Sequence, residues 1–103
     1  MTDRPRQWHI HRNLVSGGLI LVIQSDLLDE IGSRLVVPVY KRSIAPNAAK
    51  LLSPVVMRGD EVFVAFPLHA AAIRTSEIGP FVASAEDARD DVTRALDLIL
   101  SGV

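Results

Sequence analysis

The side chains here that could do chemistry are three histidines, a serine beside an aspartate, and several carboxylates. His9 and His11 stand two apart. On a strand that spacing puts both imidazoles on one face, as a pair of metal ligands requires. Nothing marks His69, the third histidine, as a further ligand, so the expectation is half-exposed strand histidines and no metal. Gln24-Ser25-Asp26 could set a nucleophile beside a carboxylate, but neither a Gly-x-Ser-x-Gly elbow nor a nearby histidine accompanies it. A polar turn or binding loop is the expectation. Arg58-Gly59-Asp60 copies a cell-adhesion tripeptide, yet it lies between two β-rich runs and reads as a hairpin turn. Asp87 and Asp91, four apart, put like charges side by side on a solvated helix face. Arg74-Thr75 with His69 is a loose cation-and-base set of the kind RNA cleavage needs. No phosphate-cradling glycine loop and no paired-carboxylate arrangement stands out, and neither a catalytic residue nor a cofactor is expected.

Composition bounds the partners. The chain has 103 residues, 49% of them hydrophobic and 22% charged, which fits one folded domain. A domain this size buries about 60–70% of its unfolded surface, so dimerisation would add useful core. Eleven basic and twelve acidic residues leave a net charge of -1, which argues against strong direct nucleic-acid binding. Without cysteine there are no disulfides, thiolate nucleophiles or cysteine-based zinc sites. The polar stretch Met1 to Arg6 does not read as a signal peptide. The longest apolar run, Leu19 to Ile23, is too short to span a membrane, so a cytoplasmic location is expected.

These residues must be positioned by a run of strands and one helix. Residues 1–6 are expected to be a disordered tail and 7–103 a single domain. Gln7 to Asn13 alternates as a strand, and Ser16-Gly17-Gly18 supplies a hairpin turn. Leu19 to Gln24 follows as a strand apolar on both faces. Arg34 to Tyr40 is a further strand, in which Pro38 predicts an edge or a bulge. Lys41 to Lys50 reads as a loop, Leu52 to Met57 and Glu61 to Phe66 as a hairpin, and Ala70 to Ile78 as a weak last strand. A helix is expected from Glu86 to Leu100. Ser84 would be its N-cap with Asp87 in a capping box, Ala88, Val92, Ala95, Leu96 and Ile99 its apolar stripe, and Gly102 its C-cap. Strands followed by one helix define an α+β class.

Two features ask for a partner. Leu27 and Leu28 fall in a loop that should be exposed. Leu98, Ile99 and Leu100 make the last helical turn apolar all round, which a second subunit could cover.

The same features carry a family resemblance. Val22-Ile23-Gln24-Ser25-Asp26-Leu27-Leu28-Asp29, then Arg34-Leu35-Val36-Val37-Pro38, resembles the signature of the CcdB family of plasmid-maintenance toxins. So do Pro54-Val55-Val56 with Gly59-Asp60-Glu61, and the C-terminal Asp91-Val92, Ala95-Leu96-Asp97-Leu98 and Gly102-Val103. The resemblance runs in order from about Trp8 to Val103. It implies an antiparallel SH3-like β-barrel or sheet with a small β wing and one C-terminal helix, assembled as a homodimer. It also implies a toxin of a type II toxin–antitoxin system that binds the DNA gyrase A subunit and traps gyrase on cleaved DNA. A cognate antitoxin would neutralise it and supply the DNA contacts for repression of the operon.

By resemblance, the gyrase-binding residues are Asp97, Leu100, Ser101, Gly102 and Val103, with Gln24, Ser25, Leu27 and Leu28 near the same surface. The family tail is Trp-Gly-Ile; here Ser101 replaces the tryptophan that stacks on a gyrase arginine. That loss implies an alternative, a homologue that binds antitoxin without poisoning gyrase. Trp8 falls where the family has an N-terminal aromatic. A MazF-like endoribonuclease, sharing the fold class, is the third expectation.

Overall fold

In a computed structural model the chain is described at residues 4–45 and 52–102. Strand β1, His9–Asn13, turns through residues 14–18 into β2, Leu19–Val22. Gly17 holds φ at 77° in that turn, and Asn13 bonds across it to Gly17 and Gly18. A short 3-10 turn, Asp26–Leu28, leads to the nine-residue strand β3, Ser33–Lys41. The hairpin expected around Arg58-Gly59-Asp60 is formed by β4, Val55–Arg58, and β5, Glu61–Ala65, with Gly59 at φ 58°. Of the loop expected at Lys41 to Lys50, Lys41 ends β3, residues 42–44 form a turn, and 46–50 lie outside the described residues.

Pro38 sits in a central strand, not at an edge or bulge. One side of β3 pairs along β2. Its other side pairs with β6, Ala71–Arg74, through Ser33–Val36 and with β5 through Val39–Lys41. Pro38 occupies the gap where one partner gives way to the other, so its missing N–H costs no ladder bond there.

The weak last strand is two strands. A turn at Thr75–Glu77 divides β6 from β7, Ile78–Ser84, which pairs with β1. Gly79 and Pro80 hid β7 from the sequence because both depress strand propensity. They fall at the second of two register shifts in the β1–β7 ladder, where an irregular edge tolerates them.

Sheet order then dictates a strongly curled sheet. Strand β6 lies outside β3, and β7 lies outside β1 on the far side of β2. Three residues join them, so the sheet must curl to bring the end of β6 near the start of β7. Inside pack Ile20, Val22 and Val36, with Ile73 and Ile78 against them. On the outer face Ile10, Leu21, Val37 and Val39 pack with Phe63 of the hairpin and Val92 of the helix. Strand β2 is therefore covered on both faces, as its unbroken apolar run predicts.

The helix α1 spans Arg89–Ser101, beginning three residues later than expected. Glu86–Ala88 forms a 3-10 turn instead. The Ser84 hydroxyl accepts from the Glu86 N–H at 3.4 Å, and the expected capping box with Asp87 does not form. Val92 and Ala95 are buried, and Gly102 at φ 71° ends the helix with its N–H on the Leu98 carbonyl. No helix among the described residues is long and apolar enough to cross a membrane.

Gly79 is where the backbone tolerates no side chain. A Cβ there would lie 2.7 Å from Leu14 Cδ2 and 2.9 Å from the Arg12 carbonyl oxygen. Gly79→Ala is expected to lower stability by about 1–3 kcal/mol, read as a lower thermal midpoint, because the Arg12 backbone cannot yield as a side chain could.

Candidate functional site

Two exposed apolar surfaces stand on rigid supports. The first is the loop between β2 and β3. Its shape comes from Gln24, whose Nε2 donates to the carbonyls of Leu28 and Ser33, both at 3.2 Å, while its Oε1 accepts from the Leu35 N–H at 3.0 Å. Ser25 Oγ accepts from the Leu27 N–H and caps the 3-10 turn. Arg34, 3% exposed, closes the loop from below. Its Nη1 donates to the Ile31 and Ser33 carbonyls and its Nη2 to the Asp29 carbonyl, at 2.6–3.0 Å. From the N-terminal side the Gln7 N–H donates to Asp26, and Arg4 pairs with Asp29 at 3.0 Å. Of residues 1–6, expected to be a tail, 1–3 lie outside the described residues.

This bonding turns the polar side chains inward and the leucines outward. Leu27 is 93% exposed and Leu28 48%, with Ile31 and Leu35 also exposed. Gln24 and Ser25 shape the loop, while Leu27 and Leu28 form its outer surface. Gln24→Ala is expected to cost about 1–3 kcal/mol locally, since it strips three bonds from the loop. Faster hydrogen exchange at the Leu35 amide would register it; unchanged exchange would show that Gln24 does not hold the loop.

The second surface is the end of α1. Asp97, Leu100, Ser101 and Gly102 are exposed, Leu100 at 83%. Val103 lies outside the described residues. Ser101 Oγ donates to the Asp97 carbonyl at 2.6 Å, so its hydroxyl is turned back along the helix. The helix packs chiefly on the 3-10 turn Pro67–His69, whose Leu68 is also exposed. The Asp26–Leu28 turn is not among its principal neighbours, so one chain keeps the two surfaces on separate supports.

The remaining candidates resolve individually. His9 and His11 share a face, with ring centroids 6.5 Å apart, but His11 is buried, not half-exposed. A carbonyl can only accept, so His11 Nδ1 carries a proton and donates to Gly79 O at 2.9 Å. The edges of Phe81 and both imidazoles meet over this spot. Among the described residues no group of three or more His, Asp or Glu side chains is placed to hold a metal. His69 stacks on Phe66, while Thr75 bonds to Gly32 beyond the other end of β6, so the cation-and-base set does not come together. Trp8 is buried in the outer core, between sheet and helix. Arg34 is the positioning residue that sequence patterns missed; an arginine beginning an apolar strand carries no local signal of burial.

A curled antiparallel sheet with one C-terminal helix, displaying apolar side chains on the loop between β2 and β3 and at the helix end, places the chain in the α+β class. The chain matches the model of the CcdB protein family over residues 7–102 and belongs to that family. Its fold is also similar to a structure described as an endoribonuclease from Mycobacterial species. That likeness has a TM-score of 0.77 at 12% identity and covers 97% of this chain and 94% of the other. At that identity it speaks for the shared architecture alone.

Proposed function

We propose that this protein is the toxin of a toxin–antitoxin pair, acting as a homodimer by binding a protein target rather than by catalysis. Family membership supports the toxin and the antitoxin partner. The observation that carries the binding mode is the outward display of Leu27, Leu28 and Leu100 from rigid supports, apolar area that a single chain leaves in water. The DNA gyrase A subunit is the proposed target, met by the helix end through Asp97, Leu100, Ser101, Gly102 and Val103, with Leu27 and Leu28 alongside. Induced expression without antitoxin is expected to arrest bacterial growth and produce gyrase-dependent DNA breaks. Normal growth at high expression would refute the toxin assignment.

One observation favours a second reading. Ser101 offers no aromatic face, and its hydroxyl is engaged with the Asp97 carbonyl. A dimer that still binds antitoxin but no longer traps gyrase would follow. Calorimetry separates the two: antitoxin binding without gyrase binding supports the second reading, and tight gyrase binding excludes it.

A further inference from the structure

A cleft of about 400 Å³ lies where β1, β2, β3 and the β4–β5 hairpin converge, apart from both surfaces described above. Three cations from three strands edge it: Arg12, Lys41 and Arg58. Against them, its lining holds the carboxylate of Glu61, 3.6 Å from Lys41 Nζ. Arg12 is steadied by a bond from Nη1 to the Gly17 carbonyl at 2.9 Å. The floor is apolar, made of Leu19, Val39 and Phe63, with the exposed Ile44 at its side. The net charge of -1 conceals this patch, because Glu86, Asp87, Asp90, Asp91 and Asp97 lie elsewhere, on the helix and the turn before it.

We infer that this cleft binds a single strand of nucleic acid, taking one base on its apolar floor and the flanking phosphates on Arg12, Lys41 and Arg58. A phosphodiester strand repeats phosphate, base, phosphate, which is the order of cation, apolar floor and cation across the cleft. The volume suits one nucleotide-sized group. An unpaired strand fits better than a duplex, since only an unstacked base can present its face to the apolar floor. The inference is independent of the toxin reading, whose surfaces it does not use.

The test is fluorescence anisotropy of the purified full chain with a labelled twelve-nucleotide RNA of mixed sequence. Each phosphate contact on a single strand contributes a salt slope of about 0.7, so three contacts predict about a twentyfold loss of affinity between 50 and 200 mM salt. The R12A/K41A/R58A variant is expected to lose at least about tenfold at 50 mM salt, and R58A alone to lower the slope by about 0.7. R89A/R94A, which removes two cations from the helix, is expected to bind as the parent does. No binding at 50 mM salt, or an equal loss in R89A/R94A, would overturn the site. Tighter binding of hexaglutamate than of the RNA would overturn the nucleic-acid assignment in favour of an acidic peptide. R58A changes one exposed side chain beside a turn, so it decides the matter even if the triple variant fails to fold.

Discussion

Trp8→Ala is expected to destabilise the fold by about 3–5 kcal/mol, a large share of the roughly 5–15 kcal/mol typical of a domain this size. Trp8 is buried among Ile10, Leu21 and Ala85 in the core that joins sheet and helix. Its backbone also ties two elements together: its N–H donates to the Val22 carbonyl at 2.7 Å, and its carbonyl accepts from the Ala85 N–H at 2.7 Å. This is done at φ 69°, the left-handed region, which costs a non-glycine residue about 1–2 kcal/mol. The core contact outweighs that strain. Trp8→Gly would lose the same indole but relieve the strain, so it should be no less stable than Trp8→Ala, reversing the usual order of those residues. Urea unfolding followed by circular dichroism measures both. A loss below about 1 kcal/mol for Trp8→Ala would mean that the indole contributes little to the core.

Ser101→Trp is expected to raise affinity for the gyrase A subunit by at least about fivefold. A tryptophan face over an arginine is worth about 0.5–2 kcal/mol, and a symmetric dimer presents two copies. Position 101 is exposed, so the added ring meets no core and the fold should keep its stability within about 0.5 kcal/mol. The bond from the Ser101 hydroxyl to the Asp97 carbonyl is lost, but that carbonyl lies at an exposed helix end where water replaces the donor. Ser101→Ala separates the two effects, since it removes the hydroxyl without adding a ring. Surface plasmon resonance on immobilised gyrase A subunit would read the difference. Equal affinities for the parent and Ser101→Trp would show that the helix end does not dock on gyrase as the family tail does.

Much of the architecture was legible because it rests on local pattern. The apolar run Leu19 to Ile23 announces a strand covered on both faces. Arg58-Gly59-Asp60 between β-rich runs announces a hairpin, and the stripe Val92, Ala95, Leu96 with Gly102 announces a helix and its end. Each depends on periodicity or on one residue's backbone freedom, which neighbours in sequence supply. The quoted segments also carried the family, confirmed over residues 7–102. The surfaces expected to bind were legible as apolar residues in a loop and at a helix end.

What remained illegible depends on contacts between residues distant in sequence. Strand β7 contains Gly79 and Pro80, and it is a strand only because β1 offers an irregular edge to pair with. Pro38 is tolerated in the middle of β3 only because β5 and β6 divide that strand's far side between them. Gln24 reads as a surface polar residue until the Ser33 and Leu35 backbone comes within reach of its amide. Arg12, Lys41 and Arg58 are scattered charges in a nearly neutral chain, and only the folded sheet gathers them round one cleft. The sequence by itself determined the strands with strong pattern, the helix and the likeness to a family, because those follow from spacing along the chain. Tertiary structure alone decided which polar side chains turn inward, which leucines are left in water and where charge accumulates. Those outcomes depend on which strands become neighbours when the sheet curls, and no local pattern encodes that.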